Sequence, residues 1–204
     1  MKQTRARTPY MQALRERILD AAMHAFATNG IKAVKMDDIA KSLSISKRTL
    51  YEVYDNKELL LLEGVKKFKK LNEDNFEIIY NKSTDVIDIL LNLYRIKVEE
   101  FKNTCPEFYS DLVKYPSVQN LFQQDREQSQ ERFVGFLQRG VDEGYFRNDL
   151  NLNIVSSVYS AVMQHVMRNQ LYKTYTIEEI FHNIVFVSLR GFCTLEGIKR
   201  LDQY

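Results

Sequence analysis

Four residues near position 50 have the types and spacing of a nucleic-acid contact. They are Lys47, Arg48, Thr49 and Tyr51, within the stretch MDDIAKSLSISKRTLYEVYDNK that runs from Met36 to Lys57. Two cations, a hydroxyl and an aromatic ring on the exposed side of a helix's first turns suit phosphate and base-edge contacts in DNA. An ordinary helical hairpin with a solvated basic face is the alternative that this spacing leaves open, because short helix pairs are common in all-α proteins.

Two short helices must position these side chains. Apolar residues at helical spacing indicate both: Ile39, Ala40 and Leu43 in the first, and Leu50 and Tyr54 in the second. Between them, Ser46 is a suitable N-cap, since its hydroxyl can accept a hydrogen bond from an amide two or three residues further on. The pattern predicts a helix-turn-helix whose second helix enters a major groove.

The pattern extends on both sides of this stretch, through Phe26, Gly30, Ile39-Ala40, Ile45-Ser46, Thr49-Leu50-Tyr51, Tyr54, Lys57 and Leu60. In these residues the chain resembles the DNA-binding domain of the TetR family of bacterial transcriptional regulators. The resemblance covers about the first quarter of the chain, and the remainder is similar only in architecture. It implies a dimer that binds a palindromic operator in double-stranded DNA, with a body that encloses a pocket for a small-molecule effector.

Three residues depart from the family's pattern. Met36 stands where a threonine often begins the second helix, so we expect capping to pass to Asp37 or to be weaker. Ser44 stands where the turn often has glycine, and if this position requires a positive φ, serine costs on the order of 1 kcal/mol. Arg48 stands where a small residue or proline is common, and it is a strong candidate for reading guanine.

The composition predicts an all-α protein. The 204 residues are 45% hydrophobic and include only 7 Gly and 3 Pro, which favours long helices over strands and turns. We expect about nine helices in two domains: an N-terminal three-helix DNA-binding domain over residues 1–57, and a helical ligand-binding and dimerisation domain over residues 58–204. Residues 1–57 contain eleven Lys/Arg and six Asp/Glu, whereas the remainder contains eighteen and twenty-one. This asymmetry indicates nucleic-acid binding by the N-terminal part.

Basic residues outside the helix pair extend the predicted DNA contacts. We interpret residues 1–8 as a basic arm, from which Arg5 and Arg7 contact the backbone or the minor groove. A disordered tail is an equally good interpretation in the absence of DNA. Lys57 falls in the first turn of the following helix and is expected to point at the DNA backbone.

The last two predicted helices, the eighth (Leu152–Tyr172) and the ninth (Thr176–Gly197), are too apolar for the surface of a monomer. Small residues at Ser156, Ser160 and Ala161 permit close helix approach. We predict a homodimer in which both helices pack into a four-helix bundle, as the family resemblance also implies. Two central core helices in a monomer are the alternative.

No catalytic, metal or cofactor pattern stands out. The three histidines fall on three separate predicted helices, and no glycine-rich phosphate loop or nucleophile elbow is present. Cys105 and Cys193 are far apart and fit reduced thiols in a cytoplasmic protein. The longest uncharged run, Leu150–Met167, contains several polar residues, so no membrane contact is expected. We therefore expect no enzyme, no cofactor and no metal. A helical protein–protein interaction module without DNA binding is the alternative function, and an all-α enzyme with an unrecognised site is a more distant one.

The effector pocket implied by the resemblance can be assigned only loosely. The candidates are Tyr94, Phe101, Phe108, Tyr159, Met163 and His165. Aromatic residues in a helical body usually belong to the core, and His165 is more readily explained as a core or interface histidine. The tyrosine hydroxyls favour an apolar ligand with a few hydrogen-bonding groups. The function that these inferences favour is a dimeric repressor released from its operator by a small molecule.

Overall fold

The computed structural model describes residues 9–203, and its only regular structure is helical within that range. The helices are α1 (Pro9–Asn29), α2 (Met36–Ser42), α3 (Lys47–Val53), α4 (Lys57–Lys82), α5 (Val86–Lys102), α6 (Pro106–Leu112), α7 (Pro116–Gln124), α8 (Arg126–Asp142), α9 (Leu152–Arg168), α10 (Ile177–Ile180), α11 (Val187–Phe192) and α12 (Leu195–Leu201). A 3₁₀ turn follows α9 at Leu171–Lys173, and a π-helical segment, Phe181–Phe186, joins α10 to α11. The predicted all-α class is confirmed. None of these helices combines the length and the apolar character that crossing a membrane requires.

The predicted eighth helix begins at Leu152 as expected but ends at Arg168, and the predicted ninth helix differs more. This ninth helix begins with a capping box between Thr176 and Glu179, but it contains the π-helical segment and ends at Phe192. The missed α12 begins after Thr194, whose hydroxyl accepts a hydrogen bond from the Gly197 amide at 3.1 Å.

A long-range backbone contact explains the early end of α11. Cys193 is extended rather than helical, with φ −73° and ψ 151°, and forms an isolated antiparallel bridge with Phe146. The Arg147 amide donates to the Phe192 carbonyl, and the Thr194 amide donates to the Tyr145 carbonyl, each at 2.9 Å. This bridge requires an extended backbone at Cys193, so the helix ends at Phe192. Local sequence patterns do not reveal the bridge, because its two partners are far apart in the chain.

The described residues form two compact units. The first comprises the chain up to Asn72 together with Asn103–Asn120, and the second comprises Glu73–Lys102 and the chain from Leu121 onward. This division differs from the predicted boundary between residues 57 and 58. The first turns of α4 belong to the N-terminal core, because Leu60, Leu61 and Val65 are buried there.

The first unit is built around a small apolar core. Its fully buried side chains include Ile18, Phe26, Ile31, Ile39, Leu50, Leu60 and Leu61. They come from α1, from the turn after it, and from α2, α3 and the start of α4. Each of these helices therefore contributes its apolar face to one cluster, which leaves the opposite face of α3 free.

Helix α6 belongs to the same unit, because it is hydrogen-bonded to α1 and to the turn that follows α1. The Cys105 amide donates to the Ala27 carbonyl at 2.7 Å. The Lys32 amide donates to Oδ2 of Asp111, also at 2.7 Å. Gly30 adopts φ +83°, and a Cβ at this position would lie 2.9 Å from Cβ of Glu107. Glycine is thus required here both by the left-handed backbone and by the close approach of α6.

The second unit has its own core, formed by α5, α8, α11, α12 and the bridge between Phe146 and Cys193. A guanidinium group connects the helix ends around it: Arg139 donates to the Tyr80 carbonyl at 2.6 Å and to Glu143 at 2.6 Å. The other oxygen of Glu143 accepts from the Val86 amide at 2.6 Å. These bonds satisfy the carbonyl end of α4 and the amide end of α5 together.

Candidate nucleic-acid interface

The turn between α2 and α3 has the geometry of a helix-turn-helix. Ser44 adopts φ +54°, in the left-handed region that favours glycine. The position therefore has the positive φ at which serine is expected to be unfavourable. The Ile45 amide donates back to the Ala40 carbonyl at 3.0 Å. Ser46 is extended, and its Oγ accepts from the Thr49 amide at 3.0 Å, which confirms the predicted N-cap.

Helix α3 is anchored by two buried residues. Leu50 is fully buried and Tyr54 is 2% exposed. Because these positions face the core, the side chains of Lys47, Arg48, Tyr51 and Glu52 face outward, as the spacing predicted. At the start of α2 the N-cap residue, Lys35, makes no side-chain cap bond, in line with the expected weaker capping. Oδ2 of Asp38, rather than Asp37, accepts a hydrogen bond from the Lys35 amide at 3.0 Å.

The outward face of α3 presents three of the four predicted contact residues. The side chains of Lys47 and Arg48 are 63% and 89% exposed, and Tyr51 is 45% exposed. Thr49 is only half-buried, but its hydroxyl lies 2.8 Å from Oγ of Ser46, within the cap. The structure therefore brings Lys47, Arg48 and Tyr51 together on one accessible surface, which we call the reading face, and it ties Thr49 to the helix start.

Both cations of the reading face already have carboxylate partners. Lys47 forms an ion pair with Asp37 of α2, and this hydrogen bond is the main reason why the pKa of Lys47 is raised. Nε of Arg48 donates to Oε1 of Glu52, one turn further along α3, at 3.0 Å. A phosphate or a base must therefore replace these carboxylates when DNA binds. Exposed ion pairs are weak, so the exchange is energetically accessible.

Lys57 does not occupy the predicted exposed position. Its Nζ donates to the carbonyls of Ile31 and Val34, at 2.8 Å and 2.9 Å, in the turn between α1 and α2. Partial burial lowers the pKa of Lys57, and the nearby Asp111 opposes that effect. The ammonium thus satisfies two backbone carbonyls of this turn, and sequence spacing could not reveal this contact. Arg5 and Arg7 lie outside the described residues, and their DNA contacts stay a prediction.

Sequence reasoning also missed Arg15 and Asp111. Arg15, on α1, donates to the carbonyl of Val53 at the end of α3, with 3.1 Å between Nη1 and the oxygen. Asp111, on α6, accepts from the Lys32 amide. Each contact joins residues far apart in the chain, so only an alignment showing covariation between the partners could have indicated it.

The six candidate effector-pocket residues are divided between the two units. Phe108 belongs to the first unit, where its ring packs edge-on against Tyr109 with 5.5 Å between centroids. The other five belong to the second unit. His165 is exposed on α9, and its Nδ1 lies 3.1 Å from the side-chain nitrogen of Asn169. Phe101 and Met163 are half-buried. The placement of His165 fits an interface histidine better than a pocket residue.

Tyr94 and Tyr159 lie within aromatic clusters of the second unit. The Tyr94 ring is 5.1 Å from that of Phe181 and 5.4 Å from that of Phe186, between centroids. The Tyr159 ring stacks on Phe133 at 4.8 Å, and burial raises the pKa of its hydroxyl. Both tyrosine rings therefore pack against other aromatic side chains of the second unit.

One buried hydroxyl lacks a partner. Oγ of Ser156 on α9 is fully enclosed and makes no hydrogen bond to any residue in the described range. Such groups are uncommon, because an unsatisfied buried polar atom costs about 1–3 kcal/mol. Ser156 lies one turn before Tyr159 on the same side of the helix. Neither residue pattern nor helix periodicity indicated it beforehand.

A buried three-helix core that presents α3 after a tight turn, joined to a second helical unit, defines a helix-turn-helix DNA-binding protein. Comparison with known proteins specifies the family. Residues 18–63 match the family model described as bacterial regulatory proteins, tetR family. The HTH-type transcriptional repressor KstR2 of Mycolicibacterium smegmatis is 30% identical over 146 residues, which cover 69% of this chain and 71% of the relative. The chain belongs to the TetR family of bacterial regulatory proteins.

Solved structures agree with this assignment at the level of the fold. A protein from Saccharomonospora viridis in complex with choline has a TM-score of 0.73 at 18% identity, covering 90% of this chain and 99% of that one. KstR2 of Mycobacterium tuberculosis, described as a ketosteroid transcriptional regulator, has a TM-score of 0.59 at 21% identity, covering 94% and 97%. The protein is a DNA-binding transcriptional repressor and not an enzyme.

Proposed function

We propose that two copies of this repressor bind a palindromic operator, each through the reading face of α3, and that a mainly apolar small molecule releases them. The observation that carries the proposal is the exposure of Lys47, Arg48 and Tyr51 on one side of a helix whose other side is buried. A seven-residue helix presented in this way fits a major groove. Acting on bacterial DNA, the protein would work in the cytoplasm.

Exposed apolar side chains on α9 and α11 support the dimer. On α9, Ile154 and Val158 are 62% and 58% exposed and lie one turn apart, and on α11 Val187 is 59% exposed. Large apolar side chains that remain open to water on two helices of one unit are typical of a subunit interface. These are the helices corresponding to the predicted eighth and ninth. We propose that they pack against their copies across a two-fold axis.

Selection of bound sequences from a random DNA pool, using the full chain, tests the DNA-binding part. We expect enrichment of a two-fold symmetric site whose half-sites are about one helical turn apart or a multiple of it. Enrichment of a single unrepeated half-site would contradict the dimeric mode. No enrichment at all would contradict DNA reading by α3.

Arg48→Ala tests the assignment of the reading face. Because Arg48 is the most exposed cation there, its loss should cost about 1–3 kcal/mol of operator affinity and relax selectivity at one base step in each half-site. Arg147→Ala is the matched control, since Arg147 is also an exposed arginine paired with a carboxylate, Asp149, but lies in the second unit. An unchanged motif and affinity for Arg48→Ala would remove Arg48 from the readers.

The effector proposal rests on the second unit. Its half-buried tyrosines, Tyr94 and Tyr159, and the unpartnered Ser156 offer hydroxyl groups among aromatic rings, which suits an apolar molecule carrying a few polar atoms. The description of KstR2 as a ketosteroid regulator suggests steroid-like compounds as the first set to screen. We retain Phe101 and Met163 as further candidates, and we set aside Phe108 and His165.

Thermal-shift screening followed by titration tests this switch. To lower operator affinity a hundredfold, the effector must favour the non-binding state by about 2.7 kcal/mol, and linkage requires that operator DNA weaken effector binding by the same factor. Equal effector affinity with and without operator would contradict the proposal. Ser156→Ala should weaken effector binding without lowering stability, because the native hydroxyl makes no bond that alanine would lose.

A further inference from the structure

Arg15 reaches the recognition helix from a different helix. It lies on α1, and its Nη1 donates to the carbonyl of Val53, the last residue of α3, at 3.1 Å. The last carbonyls of a helix have no intrahelical donor, and a cation at that end also opposes the negative end of the helix dipole. Arg15 thus provides a bond that the geometry of α3 leaves open.

The guanidinium group of Arg15 is itself held in place by Glu63 and Tyr54. It forms an ion pair with Glu63 of α4, and its Cζ lies 4.4 Å from the ring centroid of Tyr54, which follows α3. Oη of Tyr54 donates to Oε2 of Glu63 at 3.2 Å. Arg15, Tyr54 and Glu63 therefore form a closed network, which we call the clamp, joining α1, α3 and α4.

The clamp is placed to orient more than to stabilise. The side chains of Arg15 and Glu63 are 26% and 41% exposed, and ion pairs this accessible add little to folding free energy. The Tyr54 ring, by contrast, is 2% exposed and cannot move without disturbing the core. Stacking on this fixed ring gives the guanidinium a defined position, and the guanidinium in turn fixes the Val53 carbonyl.

A small tilt of α3 would disrupt base reading. Helix α3 has seven residues, so its first residue lies about 10 Å from its last. A rotation of about 10° around the Val53 end would displace Lys47 and Arg48 by about 1.5 Å, which exceeds the tolerance of a hydrogen bond. Flexible cations can still follow a phosphate over that distance, whereas a bidentate contact to a base edge is lost.

We propose that Arg15 is a positioning residue for operator recognition. Through the Val53 carbonyl, the clamp sets the orientation of α3, and this orientation makes the protein bind its operator more tightly than other DNA. This inference rests on the proposed reading of DNA by α3. Arg15 itself need not touch the operator. Its loss should lower the affinity for operator much more than the affinity for unrelated duplex.

Arg15→Lys in the full chain is the principal test. Lysine keeps the charge and can pair with Glu63, but it lacks the planar fork that reaches a carboxylate and a carbonyl at once. We expect the ratio of operator affinity to unrelated-duplex affinity to fall about tenfold, with the salt dependence unchanged. Lys67→Ala is the matched control, since Lys67 pairs with Asp20 at 2.6 Å and so links α4 to α1 without touching α3. It should leave the ratio unchanged.

A second, milder variant tests the proposal in case Arg15→Lys impairs folding. Tyr54→Phe removes only the hydroxyl that aligns Glu63 and leaves the buried ring, so we expect a fall in the ratio of about threefold, with thermal unfolding measured alongside. Proportional losses for both DNAs, or an unchanged ratio in both variants, would overturn the proposal. Failure of wild-type protein to select any operator would instead contradict DNA reading by α3, and the two failures are therefore distinguishable.

Discussion

The side chain of Asp111 accepts a hydrogen bond from the backbone amide of Lys32, with 2.7 Å between Oδ2 and the nitrogen, across 79 positions of the sequence. Its other oxygen accepts from Nζ of Lys114 at 2.9 Å. The contact ties α6 to the turn between α1 and α2, the same turn whose carbonyls hold the ammonium of Lys57. A helix more than seventy residues away in the sequence thus supports the segment that leads into the helix-turn-helix.

Asp111→Asn should destabilise the protein at neutral pH by about 1–3 kcal/mol, because a buried charge-assisted hydrogen bond is weakened. Burial raises the pKa of Asp111, but the bonds from Lys114 and from the Lys32 amide outweigh it, and the net pKa lies below the ordinary value of 3.8. A carboxylate with a lowered pKa stabilises the fold above its unfolded pKa, and this stabilisation disappears as pH falls through the folded pKa.

Denaturant unfolding at pH 7 and at pH 3 checks this. The difference in the free energy of unfolding between wild type and Asp111→Asn should be constant from pH 8 to about pH 5. It should become smaller below about pH 4. Asp149→Asn is the control: its pKa is also lowered, by Arg147, but the pair is exposed and should leave stability unchanged. A difference for Asp111 that is independent of pH would contradict the electrostatic explanation.

Gly30→Ala should destabilise the protein more than Gly144→Ala. Both glycines have positive φ, +83° and +80°, so both substitutions carry a backbone cost of about 1 kcal/mol. At Gly144 the new Cβ meets nothing within 4 Å, whereas at Gly30 it lies 2.9 Å from Cβ of Glu107. Comparing the two by thermal unfolding isolates the cost of crowding α6. Equal costs would mean that α6 moves aside freely.

Ser44→Gly should stabilise the protein by about 1 kcal/mol, because serine occupies the left-handed region at φ +54°, where glycine has no steric penalty. Ser42→Gly provides the opposite result as a control. Ser42 ends α2, and its hydroxyl donates to the Ile39 carbonyl at 2.9 Å, so glycine should be destabilising there. Chemical denaturation measures both. Loss of stability in Ser44→Gly would show that the turn is not strained.

Asp37→Asn should raise affinity for DNA of any sequence. The substitution frees Lys47 from its ion pair and removes a negative charge beside the phosphates, so we expect about a threefold gain at low salt and a steeper salt dependence by about one ion. Asp20→Asn, which breaks the pair with Lys67 away from the reading face, should change neither. Fluorescence anisotropy over a salt series measures this. An unchanged slope would mean that Lys47 contacts no phosphate.

Val158→Glu should convert the dimer to a monomer. A charge at this exposed apolar position would be buried without a partner in the proposed interface, at a cost of several kcal/mol. Asn153→Glu places the same charge on another side of α9 and should leave the dimer intact. Sedimentation equilibrium at micromolar concentration distinguishes the two. A wild-type monomer at that concentration would refute the proposed interface.

The helix-turn-helix could be predicted because its determinants are local. The cap at Ser46, the inward residues Leu50 and Tyr54, and the strain at Ser44 depend on residues within one or two turns of each other. The two exposed cations of α3 follow from the same periodicity. Caps, helix periodicity and turn strain can each be recognised from a few neighbouring residues. A single sequence is therefore enough to predict them.

The rest depends on contacts between distant segments. Lys57 was expected to point at the DNA backbone, but its ammonium donates to the carbonyls of Ile31 and Val34. The sequence could not show this contact, because it does not define the path of the turn that contains these two residues. The end of α11 at Phe192 follows from a bridge to Phe146. Spacing along one helix contains no information about such partners, and the positions of Arg15 and Asp111 were hidden for the same reason.

The inclusion of Asn103–Asn120 in the first unit has a practical meaning for engineering. Exchanging the N-terminal segment between related regulators, to give one effector response a new operator, would transplant α1 to α4 without the α6 that supports them. The grafted turn would then meet a foreign helix in place of Glu107 and Asp111. Functional hybrids of this protein should therefore be built from two separate segments, and single-crossover chimaeras should fold poorly unless the recipient's α6 carries compatible residues.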